Sequence, residues 1–234
     1  MPKPETHRLW KFLEGRKTLG GFVLVGGTAL AMHLNHRISE DLDFMIPEPR
    51  LPRARIKALL RDGARHGFVF APNDRVQDVE EFIDSGLDLY DYQQNFVVSG
   101  AVKLTLVAPD AELTPLLRAG TPDGPRVASL EEVFRLKCIA CANRSKTRDW
   151  LDLYVLLDRG LFAPVDIYRT FELAGVPSKF DIAMSRLCSG RIPLDDEGYQ
   201  STMPRAPSIR RMHKRFIAVR DSIEQEIARQ RAGR

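Results

Sequence analysis

Three cysteines in 234 residues, Cys138, Cys141 and Cys188, are too few for a disulfide framework. Cys138-x-x-Cys141 has metal or redox spacing, but no second pair and no flanking histidine completes a zinc site. Both cysteines therefore read as small residues on a helix. No apolar run approaches the ~20 residues that a membrane helix needs. The opening stretch, MPKPETHRLWKFLEG, lacks the apolar core and cleavage pattern of a secretory signal. These absences make the cytoplasm the expected location and a membrane partner unexpected. Internal repeats and low-complexity tracts are also missing. Charge of one sign does not dominate: the net charge is +4 and the pI about 9.0. Such a mildly basic balance suits an RNA or nucleotide partner without demanding one. What remains is ordinary for a globular protein, with 44% hydrophobic and 28% charged residues. The length allows one large domain or two small ones.

Against that background one stretch stands out, FVLVGGTALAMHLNHRISEDLDFMI from Phe22 to Ile46. Phe22-Val23-Leu24-Val25 suits a short buried strand. Gly26-Gly27 supplies a turn that other residues cannot make easily. Thr28 stands where it can cap a helix continuing through Ala29-Leu30-Ala31-Met32-His33-Leu34. Asp41-Leu42-Asp43-Phe44-Met45-Ile46 alternates acid and apolar residues and then turns apolar, as a strand with one polar face does. A strand, glycine turn and helix start aim unsatisfied backbone N–H groups and the positive helix end at one point, which suits a phosphate. Asp41 and Asp43 leave the same face of a strand, with Cα atoms roughly 6.6 Å apart at ~3.3 Å per residue. Two carboxylates at that spacing can converge on a hard cation such as Mg²⁺, whose other positions go to water and substrate phosphates. The pair is not an EF-hand, because the glycine and final glutamate of that loop are missing.

Phosphate cradle and acid pair, read together, resemble the nucleotidyltransferases of the DNA polymerase beta-like superfamily. The wording GGTAL followed by HRISEDLDF is more narrowly similar to the AbiEii/AbiGii toxin family of bacterial toxin–antitoxin and abortive-infection systems. A second block carries the same likeness, KCIACANRSKTRDWLDLYVLL, with Lys137, Arg144, Arg148, Asp149 and Asp152. By spacing alone, Lys137 and Arg144 share a helix face that Arg148 would extend, and Asp149 and Asp152 share another. Cations on one stripe suit a triphosphate, but by spacing alone a solvated, salt-bridged helix surface is the preferred reading.

The remaining chain reads as alternating elements followed by helices. His7 to Glu14 is a short amphipathic helix with Leu9, Trp10 and Leu13 on one side, expected over the sheet edge. Arg53 to His66 is helical, stopped by Gly67. Phe68-Val69-Phe70 reads as a strand, and Val76 to Ser85 as a strand or loop. Leu87–Val98 and Ala101–Ala108 form a hairpin turning at Ser99-Gly100. Prolines and glycines crowd 109–125, a boundary between a core at 1–125 and a helical region at 126–234. Ser129-x-x-Glu132 is a capping box for a helix through Asn143. Further helices follow at Asp149–Leu157, Val165–Leu173, Lys179–Leu187 and Ile209–Arg231, with a loop at Arg191–Pro207. The last helix is basic at its start (Arg210, Arg211, Lys214, Arg215). The expected fold is α+β, a polymerase beta-type nucleotidyltransferase core with a mixed sheet flanked by helices, then a helical C-terminal region contributing to the active site.

The resemblance covers roughly residues 20–160. It implies Gly26, Gly27 and Thr28 at nucleotide phosphates, with Arg37 (beside His36 and Ser39) as an added cation. It implies Asp41 and Asp43 on Mg²⁺ or Mn²⁺, Lys137 and Arg144 on nucleotide phosphates, and Asp149 or Asp152 as further metal ligand or base. The implied reaction moves a nucleoside monophosphate from an NTP to a hydroxyl of RNA, tRNA being one acceptor, or of protein, in a toxin with a cognate antitoxin. One departure stands against it. The superfamily's third carboxylate belongs on a neighbouring strand, and Ala101–Ala108 shows Lys103, Thr105 and Val107 there, with Thr105 at the acid's expected place. Asp88 and Asp91 on the partner strand are the substitutes in reach. Loss of that acid removes a candidate base, and a degenerate nucleotide- or RNA-binding module of the same fold is the alternative.

Overall fold

A computed structural model describes residues 3–232. The chain divides into two units, Met1–Ser129 and Leu130–Arg234. The first holds α1 (Pro4–Leu13), β1 (Val23–Val25), α2 (Gly26–Leu34), β2 (Leu42–Met45), α3 (Arg53–Arg65), β3 (Phe70–Pro72), α4 (Val76–Asp84), β4 (Gln93–Val98), β5 (Val102–Val107) and β6 (Arg126–Val127). Its six-stranded sheet has the order β3-β4-β5-β2-β1-β6. The sheet is mixed: β2 runs antiparallel to β1 and parallel to β5, and β6 runs parallel to β1.

Alternation along the central strands decides the two faces. Leu42 and Phe44 of β2, Leu104 and Leu106 of β5, and Phe96 and Val98 of β4 are buried. Asp43, Thr105 and Asn95, pointing the other way, are half-buried. On the apolar face, Trp10 of α1 stacks against Phe44 with ring centroids 6.2 Å apart. Because β2 is an inner strand, α1 covers the middle of the sheet and not its edge, where periodicity alone had put it. The hairpin turns at Ser99 and Gly100 as expected, both with positive φ (49° and 71°), the left-handed pair that lets two strands keep their twist.

Three expected elements differ. Residues 76–84 form a helix, α4, rather than a strand or loop; the segment buries none of its residues, so burial gives its pattern no help in choosing a state. The strand expected at 68–70 sits two residues later, and its proline is tolerated because β3 is an edge strand. Leu87–Tyr92 is not the start of β4: a 3-10 turn spans Leu89–Asp91, capped by Asp88, whose carboxylate accepts from the Tyr90 N–H at 2.9 Å. Finally, β6 follows directly on the breaker-rich stretch and closes the sheet's far edge beside β1.

The second unit is helical: α5 (Leu130–Asn143), α6 (Thr147–Asp158), α7 (Val165–Leu173), α8 (Lys179–Leu187) and α9 (Ile209–Ala232). Helix α5 packs against α6, α7 and α8, and α9 against the last three. Cys138 and Cys141 are buried on α5, and burial pushes both thiols upward from their ordinary pKa, as expected of packing residues. Arg186 donates to the Ala142 carbonyl at 2.5 Å, a cation at the C-terminal end of α5 where the helix dipole favours it.

Replacing Phe44 by alanine removes a fully buried ring from this sheet and should cost about 3–5 kcal/mol. Hydrogen exchange of the β2 and β5 amides measures it: exchange should accelerate by roughly two orders of magnitude or more.

Candidate functional site

The antiparallel register of β1 and β2 sets Asp43 opposite Val25, so the residue after Val25 meets the carboxylate. That residue is Gly26, with φ of +71°, in the region that only glycine enters at little cost. A Cβ there would lie 2.6 Å from Asp43 Oδ2. Glycine is thus required twice, for its backbone angle and for the room it leaves. A Cβ on Gly27 would collide with the guanidinium of Arg37. Arg37 is 6% exposed and donates to the Ile38 carbonyl at 3.1 Å, so it is a buried cation beside the turn and not a surface arginine.

Thr28 does not cap α2. The helix begins at Gly26, and Val25, which has no polar side chain to cap it, occupies the N-cap position. The Thr28 hydroxyl is buried, 2.9 Å from Ser39 Oγ and within hydrogen-bond reach of the Asp41 carbonyl. Having one proton, it donates to the carbonyl and accepts from Ser39. Thr28 therefore ties the glycine turn to the approach of β2, and its hydroxyl is not spent on the N–H groups of the first turn. One tether was not foreseen: His33 Nε2 lies 2.7 Å from the Ala128 carbonyl, pinning the C-terminal end of α2 just beyond β6. No local pattern announces a contact across 95 positions.

Asp43 stands on the half-buried side of the sheet, and Asp41, also half-buried, lies just before β2. No group of three or more His, Cys, Asp or Glu side chains capable of holding a metal occurs among the described residues. Two carboxylates beside a glycine turn and helix start would suit Mg²⁺, whose remaining positions go to phosphate and water. The closeness of Asp43 to Gly26 is the observation that supports the fit. The third acid is not on the sheet. Thr105 is in register with Asp43 on one side and with Asn95 on the other. Asp74 accepts from the Asn95 backbone and side-chain N–H groups at 3.0 and 2.8 Å. Asp88 and Asp91, the suggested substitutes, belong to the 3-10 turn and pair with Arg53 at 2.6 and 3.2 Å.

The second constellation lies within the helical unit and is a buried ion cluster. Lys137 Nζ is 2.5 Å from Asp149 Oδ1 and 2.8 Å from Asp152 Oδ2. Arg144 Nε is 2.9 Å from Asp149 Oδ2. Lys137 is 5% exposed, Asp149 2% and Asp152 0%. The structure brings Lys137, Arg144, Asp149 and Asp152 together. Arg148, in the first turn of α6, departs from them, donating to the Gly198 carbonyl at 2.9 Å and pairing with Glu197 at 3.0 Å in the loop between α8 and α9. Burial by itself would raise the Asp149 pKa, but Lys137 and Arg144 beside it hold the carboxyl below its usual value. Asp196 was not foreseen either. Its carboxylate accepts from the Thr147 N–H at 2.9 Å, from the Thr147 hydroxyl and from the Gly198 N–H at 3.0 Å. It caps α6 from 49 positions away, and nothing local to either segment signals the pairing.

A mixed-sheet α+β unit with a glycine turn against a strand aspartate defines the class: this is a nucleotidyltransferase-type fold. The chain belongs to the AbiEii nucleotidyl transferase toxin family of type IV toxin–antitoxin systems, whose sequence profile matches residues 13–219. Two solved structures share the fold. JHP933 from Helicobacter pylori has a TM-score of 0.50 at 17% identity, with 97% of this chain and 96% of that one covered. An H. pylori protein described as a candidate nucleotidyltransferase has a TM-score of 0.50 at 18% identity, with 94% and 96% covered. No curated protein matches the sequence.

Asp149→Asn should destabilise the helical unit by about 3 kcal/mol at neutral pH, the low end for breaking a buried pair because Asp152 still serves Lys137. The sign of the pH effect follows from the depressed pKa. The stability Asp149 contributes is fully present above its usual value of 3.8 and is lost as pH falls through the lower folded value. Urea unfolding followed by Trp150 fluorescence, in a Trp10→Phe background, should show the variant and its parent converging only at acid pH.

Proposed function

We propose that the chain transfers a nucleoside monophosphate from an NTP to a hydroxyl of RNA, with tRNA as one acceptor, or of a protein. A bond forms between the acceptor oxygen and the α-phosphorus, the bond from that phosphorus to the β-phosphate oxygen breaks, and pyrophosphate leaves. The observation that carries this reading is the Asp43 carboxylate leaning over the Gly26 turn, in contact distance of the space a Cβ would fill. That juxtaposition puts a carboxylate able to take a divalent cation beside a helix start able to take a phosphate, and the cation between them is what lets two anionic groups share the place.

Each residue then has a task. The N–H groups after Gly26 and Gly27 receive phosphate oxygens, and Arg37, held against Gly27, adds positive charge behind them. Thr28 keeps the turn and the start of β2 at a fixed separation. Asp41 and Asp43 would hold Mg²⁺ or Mn²⁺, which when bound neutralises phosphate charge and orients the triphosphate. Positioning and charge neutralisation are the whole of the catalysis assigned here. Thr105 has no carboxylate with which to take the acceptor's proton. The family resemblance offers Asp149 or Asp152 for that task and Lys137 for phosphates. In their own unit these three are bound to one another, and Arg144, its side chain 62% exposed, is the cation of that cluster that solvent reaches. Family membership further supports a growth-arresting toxin with a cognate antitoxin.

The neutral Thr105 also favours a second reading, a module that binds nucleotide or RNA without turnover. Incubation with each α-labelled NTP, Mg²⁺ and total tRNA or protein separates the two. The enzyme transfers label, and Asp43→Ala reduces transfer by several orders of magnitude; nucleotide binding with no transfer by the parent chain establishes the module instead. Equal transfer by parent and Asp43→Ala overturns the metal site. Gly26→Ala gives an independent check. It should cost only about 1–2 kcal/mol of stability for the positive φ, yet lower transfer at least tenfold by displacing Asp43, the loss appearing with the fold intact by circular dichroism.

A further inference from the structure

Helix α4 has an apolar stripe that the rest of its unit does not cover. Val76 and Ile83 stand two turns apart on one line of the helix, and they are 66% and 64% exposed. Val79, between them on the same side, is half-buried. The helix ends in a glycine turn: Gly86 has φ of +73°, the Leu87 N–H bonds the Phe82 carbonyl at 2.8 Å and the Gly86 N–H bonds the Ile83 carbonyl at 2.9 Å. This Schellman geometry extends the stripe to Leu87, which is 44% exposed. The helix is held to its unit from a different side, where Phe82 meets Tyr92 with ring centroids 5.7 Å apart.

Acids border the stripe. Residues 76–102 contain Asp78, Glu80, Glu81, Asp84, Asp88 and Asp91 and no Lys, Arg or His, in a chain whose net charge is +4. Asp88 and Asp91 are matched by Arg53 and Arg50. Glu80, Glu81 and Asp84 are exposed, and no ion pair engages them among the described residues. Glu80 and Asp84 flank Val76 and Ile83 on the helix surface, at i,i+4 spacing from each other, where like charges oppose one another by a few tenths of a kcal/mol. An apolar line with an unmatched negative rim is complementary to an apolar line with a positive rim.

We propose that α4 is a docking site for another protein, through a short amphipathic segment carrying Leu- or Val-type side chains on one face and Lys or Arg beside them. The size of the site supports a segment over a whole subunit. At 1.5 Å per residue the nine-residue helix is about 14 Å long, too small a face for the ~1,200 Å² of a stable subunit interface. The neighbouring sheet edge supports a helix over a strand: β3 includes Pro72, which lacks the N–H that strand addition uses.

The test uses the full chain and a synthetic helical peptide of about 18 residues, Leu at i, i+3, i+4 and i+7 positions and Lys elsewhere, long enough for five turns. Its counterpart with Glu in place of Lys is the control. Fluorescence anisotropy of the labelled Lys peptide should show saturable binding that weakens as salt shortens the range of charge attraction. Ile83→Asp, and separately Glu80→Lys with Asp84→Lys, should each weaken it about tenfold or more. Exposure of all three side chains leaves the fold of these variants intact, which a thermal melt verifies. Absence of binding, equal binding of the Glu peptide, or binding unchanged in both variants overturns the site. Sedimentation that reveals a dimer of the parent chain, dissolved by Ile83→Asp, overturns the assigned occupant in favour of a second copy.

Discussion

The antiparallel pairing of β1 with β2 is the constraint on which the candidate site depends. Pairing opposes Val25 to Asp43, and the chain must then leave β1 for a helix within one residue. Gly26 makes that exit in a left-handed conformation, and its missing side chain is the space into which the Asp43 carboxylate leans. Had the register slipped by one position, Asp43 would lie on the apolar face with Phe44 outside, exchanging a buried ring for a buried charge. Burial of Leu42 and Phe44 thus holds the acid at the turn. The same hydrophobic choice that makes the sheet places the chemistry.

The helical unit reaches a different solution to the same difficulty of charge near a core. Lys137, Asp149 and Asp152 are almost wholly removed from water, and each depends on the others for tolerance of burial. Such a cluster adds little net stability compared with apolar packing, but it fixes the relative placement of α5 and α6, because any slide separates charges that cannot be left alone. Arg144, attached to Asp149 yet exposed, joins this buried set to the surface.

Much of this was legible in the sequence, for local reasons. The glycine turn, the alternating acids, the Ser99-Gly100 hairpin and the helices α5, α7 and α8 each follow from residues adjacent in the chain. What was not legible depends on distant partners. Thr28 reads as a cap until Ser39 and Asp41 claim its hydroxyl. Arg148 reads as an extension of the Lys137 stripe until Gly198 and Glu197 take it. Residues 76–84 carry a helical spacing of apolar residues, but the same valines and phenylalanine suit a strand, and without burial the pattern decides nothing. Strand β6, two residues long, has no pattern of its own and exists because β1 offers an unpaired edge.

The cap that Asp196 places on α6 has a consequence in time. Asp196 follows Thr147 by 49 positions, so the first turn of α6 is synthesised before the carboxylate that caps it. Closing a loop of this length carries an entropic cost, which the packing of the helical unit must offset. The helix that bears Asp149 and Asp152 is therefore completed late, after nearly the whole chain has been made.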